Sequence, residues 1–205
     1  MGVTSRVIPA AEKRCANFTN SAGAVSEQAR RAVDLVFTNA ARSALCLGPG
    51  DTIEIARLPG EQFIEPPASK IVVLTIASYL FRLLTIFHVE DDQAGEDYFL
   101  RGEAATAGRA FLDVFAELGN MCCGAMNREL GRHFPHTGMS TPYVLDRHCL
   151  PFVRELKPAY LSQHRLQIND GVTLHATLCL CAYGDLDFRI DPVAPVEATG
   201  ELELF

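Results

Sequence analysis

The chain has 205 residues, of which 48% are hydrophobic and 21% charged, enough apolar material for one packed core. Its formal net charge of −7 argues against nucleic acid and anionic membrane surfaces, which repel an acidic protein. Residues 1–23 are polar and Ala/Ser-rich with no leader-type apolar run, and predict a flexible arm on a cytoplasmic protein.

Ser26 to Leu47 predicts a helix: Ser26 can cap it, and Gly48-Pro49-Gly50 stops it. Its apolar residues Ala29, Val33, Val36, Phe37, Ala40 and Ala44 keep the helical period. Asp51 to Leu58 alternates like a half-buried strand. Lys70 to Phe87 is long and apolar, but it contains Arg82 and is rich in Val, Ile and Thr. Two buried strands, about 71–78 and 82–90, fit it better than a membrane span. A second long helix is expected from Glu103 to His133, ended by Pro135 and Gly138.

Thr141 to Asp146 is a strand candidate, followed by a proline-bounded connection from His148 to Leu161. Gln163–Ile168 and Val172–Tyr183 flank Asn169-Asp170-Gly171, a strong hairpin signal. The acidic segment 185–205, broken by Pro192 and Pro195, predicts an edge strand or a loosely docked tail. The folded domain is therefore expected over 24–184. Its order, helix, three strands, helix, three strands, suggests a duplicated unit and an α+β layer fold with the helices on one face of a mainly antiparallel sheet.

On the second helix Asp113, Glu117, Asn120, Gly124, Asn127 and Gly131 step by four and three, so they share one face. The neighbouring stripe, Phe111, Val114, Phe115, Leu118, Met121, Cys122, Ala125 and Leu130, should face the core. By residue type alone the polar line is what any amphipathic helix shows to water. Two details depart from that reading. Gly119 and Gly124 each cost about 1 kcal/mol in a helix interior relative to Ala, and would let another backbone approach. The face also carries few long solubilising side chains near its centre.

The pattern Asp-x-x-x-Glu-x-x-Asn with a later proline, here Asp113, Glu117, Asn120 and Pro142, resembles the signature of the CheC/CheX/FliY phosphatases of bacterial chemotaxis. The segment ELGNMCCG is similar to that family's Glu-x-x-Asn-x-x-x-Gly. The resemblance implies a duplicated helix-plus-three-strands fold over 24–183. The proline comes one residue early. The first helix has Asn39 but Val36 where a partner Glu would stand, which implies a single site of the CheX type. A Gly-Asp-x-x-Gly-like turn is replaced by Ser78-Tyr79-Leu80-Phe81.

The family hydrolyses the aspartyl-phosphate of a response-regulator receiver domain of CheY type. The resemblance implies that Asn120 orients the attacking water and that Glu117 pairs with the regulator's lysine. Asp113, Gly124 and Asn127 would contact the partner. No cofactor of its own is expected, because Mg²⁺ comes with the phosphorylated partner. A homodimer joined at sheet edges is a further expectation. The alternative is a catalytically silent adaptor that docks receivers or dimerises with the same fold.

Other groups read blandly. The seven cysteines form no Cys-x-x-Cys pair and suit buried free thiols. His133-Phe134-Pro135-His136 and Asp146-Arg147-His148-Cys149 do not supply the four well-placed ligands of a zinc site. Ser140-Thr141 reads as a turn and Arg30-Arg31 as a solvated helix face.

Overall fold

The structure is a computed structural model that describes residues 23–59, 65–90, 92–101, 110–169 and 171–191. Helix α1 spans Glu27–Leu45, and the Ser26 side chain accepts a hydrogen bond from the Ala29 amide as expected of its cap. Three strands follow: β1 Ile53–Arg57, β2 Lys70–Ala77 and β3 Phe81–Val89. A short helix α2, Gln93–Phe99, is capped by the Asp92 carboxylate on the Gly95 amide. Next come the long helix α3, Phe111–Gly131, the two-residue β4, Gly138–Met139, and β5, Tyr143–Asp146. A 3-10 helix, Arg147–Leu156, precedes β6, Tyr160–Ile168, and β7, Val172–Ala182.

The strands form one antiparallel sheet in the order β1-β6-β7-β3-β2, with β4 and β5 both on the outer side of β2. The expected duplication is visible in this order. Each half contributes a helix, an outer strand (β1 or β5) and a hairpin (β2–β3 or β6–β7). Each outer strand pairs with the other half's hairpin, β1 with β6 and β5 with β2. The halves meet at the β3–β7 pair.

Both long helices lie on one face of the sheet. The core beneath them is tied by aromatic contacts. Phe87 of β3 meets Phe37 of α1 at 6.1 Å and Phe115 of α3 at 5.8 Å between ring centroids. Phe99 of α2 meets Phe115 at 5.2 Å, edge on, the geometry that ring quadrupoles favour. A polar cluster anchors α1 to β6: the Asp34 carboxylate accepts from Tyr160 Oη at 2.6 Å and Ser162 Oγ at 2.8 Å. Arg57 Nε and His164 Nε2 each lie 3.6 Å from the same carboxylate.

Several expectations needed correction. The described part of the second helix starts at Phe111 rather than Glu103, and 102–109 lie outside the described residues. Helix α2 was not anticipated, although Asp92 is an ordinary cap. The proline-bounded connection is in large part a 3-10 helix containing Pro151. Its Leu150 and Val153 bury Ile71, Val73, Ile86, Cys179 and Cys181 on the face of the sheet away from α1 and α3. Helical cover is thus not confined to one face. Strand β6 begins at Tyr160, three residues before the expected Gln163. Residues 185–191 dock on the helix layer: Leu186 bridges Val25, and Phe188 packs 4.9 Å from the Phe134 ring. The rest of the acidic segment lies outside the described residues.

Cys46, Cys122, Cys123, Cys149, Cys179 and Cys181 are free thiols, four of them buried. No helix among the described residues is long and apolar enough to cross a membrane.

His88 gives the fold a pH dependence. It is buried in β3, with Nε2 2.8 Å from Thr177 Oγ1. Burial, aided by the facing His175, pushes its imidazole down to about 4 from an ordinary 6.5. Between these values the unfolded chain binds the proton and the folded chain does not. The stability is therefore complete above 6.5 and is lost as pH falls towards 4. Urea denaturation should show a loss of about 2–3 kcal/mol from this group across that window. His88→Gln should flatten the profile without abolishing it, because burial lowers His164 and His175 in the same direction.

Candidate functional site

Helix α3 is seated by its apolar side. Phe111, Val114, Phe115, Leu118, Cys122 and Leu130 are buried, as are Cys123 and Met126. At the centre of this seat is Gly119. A Cβ placed there would stand 3.2 Å from Leu74 Cδ1 and 3.6 Å from the Phe87 ring. The glycine therefore serves close approach of helix to sheet, not room for a foreign backbone. The sequence reading had Gly119 admit the approach of another backbone, and the neighbour it admits is the chain's own sheet.

The polar line points the other way. Asp113, Glu117 and Asn120 are exposed, and Gly124 and Asn127 are half-buried. Residues three apart on a helix hold their Cβ atoms about 5–6 Å apart, so Glu117 and Asn120 are neighbours on the exposed face. Buried Leu118, Gly119, Cys122 and Cys123 lie behind them, which fixes the backbone that carries them.

The C-terminal half of the line meets the chain's own edge strand. A Cβ on Gly124 would lie 3.9 Å from Met139 Sδ and 3.8 Å from Arg128 Nη1. A Cβ on Gly131 would lie 3.4 Å from Thr137 Oγ1. Asn127 has its Oδ1 shielded from water with no hydrogen-bond partner among the described residues. Since Gly124 and Gly131 face this edge, the same helical line carries Glu117 and Asn120 along the border between α3 and the rim of the sheet.

Pro142 sits on that rim. In β4, Met139 is opposite Ile76, whereas in β5 Tyr143 is opposite Val73. The outer strand thus carries one residue more than β2 across this stretch, a bulge at Thr141-Pro142 opposite Leu74. A bulge on an edge strand is where a residue without an N–H is tolerated. Ser140 pins the upstream side, its amide donating to Thr75 O at 2.9 Å and its Oγ accepting from Thr75 N at 3.1 Å. Leu74, opposite the bulge, is also the residue beneath Gly119, so the proline and the Glu/Asn turn lie at the same level of the fold.

Sequence reasoning missed Met121, which it assigned to the core stripe; the side chain is 56% exposed. Four residues after Glu117 and three before Gly124, it belongs equally to the polar line, a signal the apolar residue type hid. On α1, Val36 is buried and Asn39 exposed. His133 packs at 5.5 Å on the Phe188 ring, and exposed His148 pairs with Asp146 through Nδ1, while Cys149 is exposed on the 3-10 helix. The Asp146 carboxyl is held down at about 2, mainly by the His148 backbone amide and side chain.

The architecture is that of a duplicated α+β protein whose polar helix face borders a sheet edge. No protein-family model and no curated protein sequence matches the chain. Solved structures do. The chemotaxis protein CheX from Vibrio vulnificus is 12% identical, with TM-score 0.51, over 71% of this chain and 96% of that one. CheX from Borrelia burgdorferi, solved in a complex with CheY, BeF3 and Mg²⁺, is 16% identical, with TM-score 0.51, over 71% of this chain and 95% of that one. The chain has the CheX fold, which is the fold implied by the CheC/CheX/FliY resemblance of its sequence.

The two glycines of α3 should respond oppositely to substitution. Gly119→Val should destabilise by about 1–3 kcal/mol through overpacking against Leu74 and Phe87. Gly124→Ala should be neutral or stabilising by up to about 1 kcal/mol, since it removes helix glycine entropy at ordinary contact distances. Urea midpoints of the two variants against the parent chain check both.

Proposed function

We propose that this protein is a CheX-like phosphatase that hydrolyses the aspartyl-phosphate of a CheY-type receiver domain. The observation that supports it most is the exposed Glu117/Asn120 pair on a helix held rigidly from behind by the core. The CheX from Borrelia burgdorferi, found with CheY, BeF3 and Mg²⁺ in one complex, supports a receiver as the class of partner.

An acyl phosphate is already activated and needs a water held in line with phosphorus. Phosphoryl transfer depends on positioning and charge neutralisation more than on covalent help. A carboxamide cannot act as a base near neutral pH, but it offers one acceptor and two donors. Asn120 therefore orients a water. The water oxygen bonds to phosphorus, the bond from phosphorus to the aspartyl oxygen breaks, and the carboxylate leaves. Water's protons pass to phosphate and solvent.

Glu117, one turn earlier, pairs with the receiver's lysine, a charge-assisted contact that sets the docking register. Asp113 meets the partner's rim, with Gly124 and Asn127 at the opposite end of the contact. The Mg²⁺ belongs to the receiver, and α3 adds no ligand to it.

Phosphate release from a phosphorylated receiver in Mg²⁺ tests this. The parent chain should accelerate release. Asn120→Ala should reduce turnover at least about 100-fold, the scale of losing a water-positioning group, while still binding a beryllofluoride-loaded receiver. Glu117→Ala should weaken both binding and turnover. Acceleration that survives both substitutions rules out this site. Binding without acceleration by the parent chain favours the silent adaptor.

A further inference from the structure

Around the Glu117/Asn120 pair the structure exposes side chains that a solvated helix face does not require. Met121 is 56% exposed, and Met139 of β4 is 37% exposed. Their positions are linked through Gly124. This residue is three after Met121 on the same face, and a Cβ on it would lie 3.9 Å from Met139 Sδ. With no side chain of its own, Gly124 keeps the ground beside the Met139 thioether low, and half-buried Ala125 follows it on the helix.

Met139 is held in place by its own strand, opposite Ile76 in the β4–β2 pair, with the Ser140–Thr75 hydrogen bonds immediately after it. The result is an apolar ledge with a fixed backbone and adaptable side chains. Methionine suits a surface that must fit another protein, because its thioether is polarizable and its chain unbranched.

We infer that Met121 and Met139, with Gly124 between them, form an apolar docking ledge for the receiver domain itself, beside the Glu117/Asn120 pair and distinct from it in role. The inference rests on the proposed function and adds to it the element that supplies affinity. Two observations identify the occupant. The ledge is continuous with the catalytic pair, since Met121 follows Asn120 directly and lies one turn beyond Glu117. The charge along α3 is also ordered, with Asp113 and Glu117 at one end, the ledge next, and exposed Arg128 beyond it.

Under the proposed function the receiver's lysine would meet the carboxylates, and an apolar surface beside it would meet the ledge. Apolar contact supplies affinity in such an arrangement, and the polar pair supplies register. Among the other exposed apolar residues, Tyr143, Val144 and Leu145 are on the edge strand β5, and Phe152 and Leu156 on the 3-10 helix are away from this helix face, so Phe152 serves as the control.

The test measures the Kd of the full chain for the receiver domains encoded by the same genome, each saturated with beryllofluoride and Mg²⁺. Met121→Glu and Met139→Glu should each raise Kd by about ten-fold or more, the scale of an interface anchor. Met121→Leu should stay within about three-fold of the parent chain, because an apolar residue of like volume keeps the ledge. Phe152→Glu should leave Kd unchanged. Circular dichroism and urea midpoints confirm that each variant is folded; all the positions are exposed. Unchanged Kd in both methionine variants, or an equal rise in Phe152→Glu, overturns the ledge while leaving the catalytic reading intact. Failure of the parent chain to bind any of these receivers overturns both.

Discussion

The close approach of α3 to the sheet at Gly119 is the contact on which the rest depends. A Cβ there would crowd Leu74 at 3.2 Å and touch the Phe87 ring at 3.6 Å. Phe87 is in turn the ring that touches both Phe37 of α1 and Phe115 of α3. Seating the helix at this depth fixes its rotation as well as its distance, because the neighbours Phe115, Leu118 and Cys122 are all buried around the same point. Rotation decides which residues are left facing out. Asp113, Glu117 and Asn120 are exposed as a consequence of where Gly119 is held.

The duplication shows how the same topology gives two different helices. In the β1 half, α1 is tied to β6 by a carboxylate, with Asp34 accepting from Tyr160 and Ser162. In the β5 half, α3 is seated by glycine on leucine and phenylalanine. A carboxylate drawn partly out of water needs its partners close, and half-buried Asp34 holds α1 by such a polar contact. The rotation that results buries Val36. The edge strands differ too: β1 runs unbroken along β6, while the outer strand beside β2 is interrupted by the bulge at Thr141-Pro142. That interruption lies at the level of the candidate site.

A site of the proposed kind would work by being rigid before its substrate arrives. Positioning a water against phosphorus tolerates little displacement, and a side chain on a helix packed along its whole apolar side meets that demand better than one on a loop. Deep burial of Cys122 and Cys123 behind Asn120 contributes to the same end. Burial pushes both thiols up, Cys123 to about 12, so they stay neutral and pack as small apolar groups.

Much of this was legible in the amino-acid order. The caps, the stops, the alternation of β1, the two apolar strands, the Asn-Asp-Gly hairpin and the line from Asp113 to Gly131 all follow from local periods and turn chemistry. So did the duplicated order of elements, and with it the fold class. A local period gives the faces of a helix only relative to one another. It cannot say which neighbour each face will meet, because that is set by contacts between residues far apart in the chain. For this reason the sequence could say that Gly119 admits a close neighbour but not that the neighbour is Leu74 of β2, and it assigned Met121 to the core when it is exposed. The short helix α2, the 3-10 helix and the bulge at Pro142 were settled by the same long-range packing. Tertiary structure decided which side of each helix meets water, since burying apolar surface against a distant strand outweighs what any single residue prefers locally.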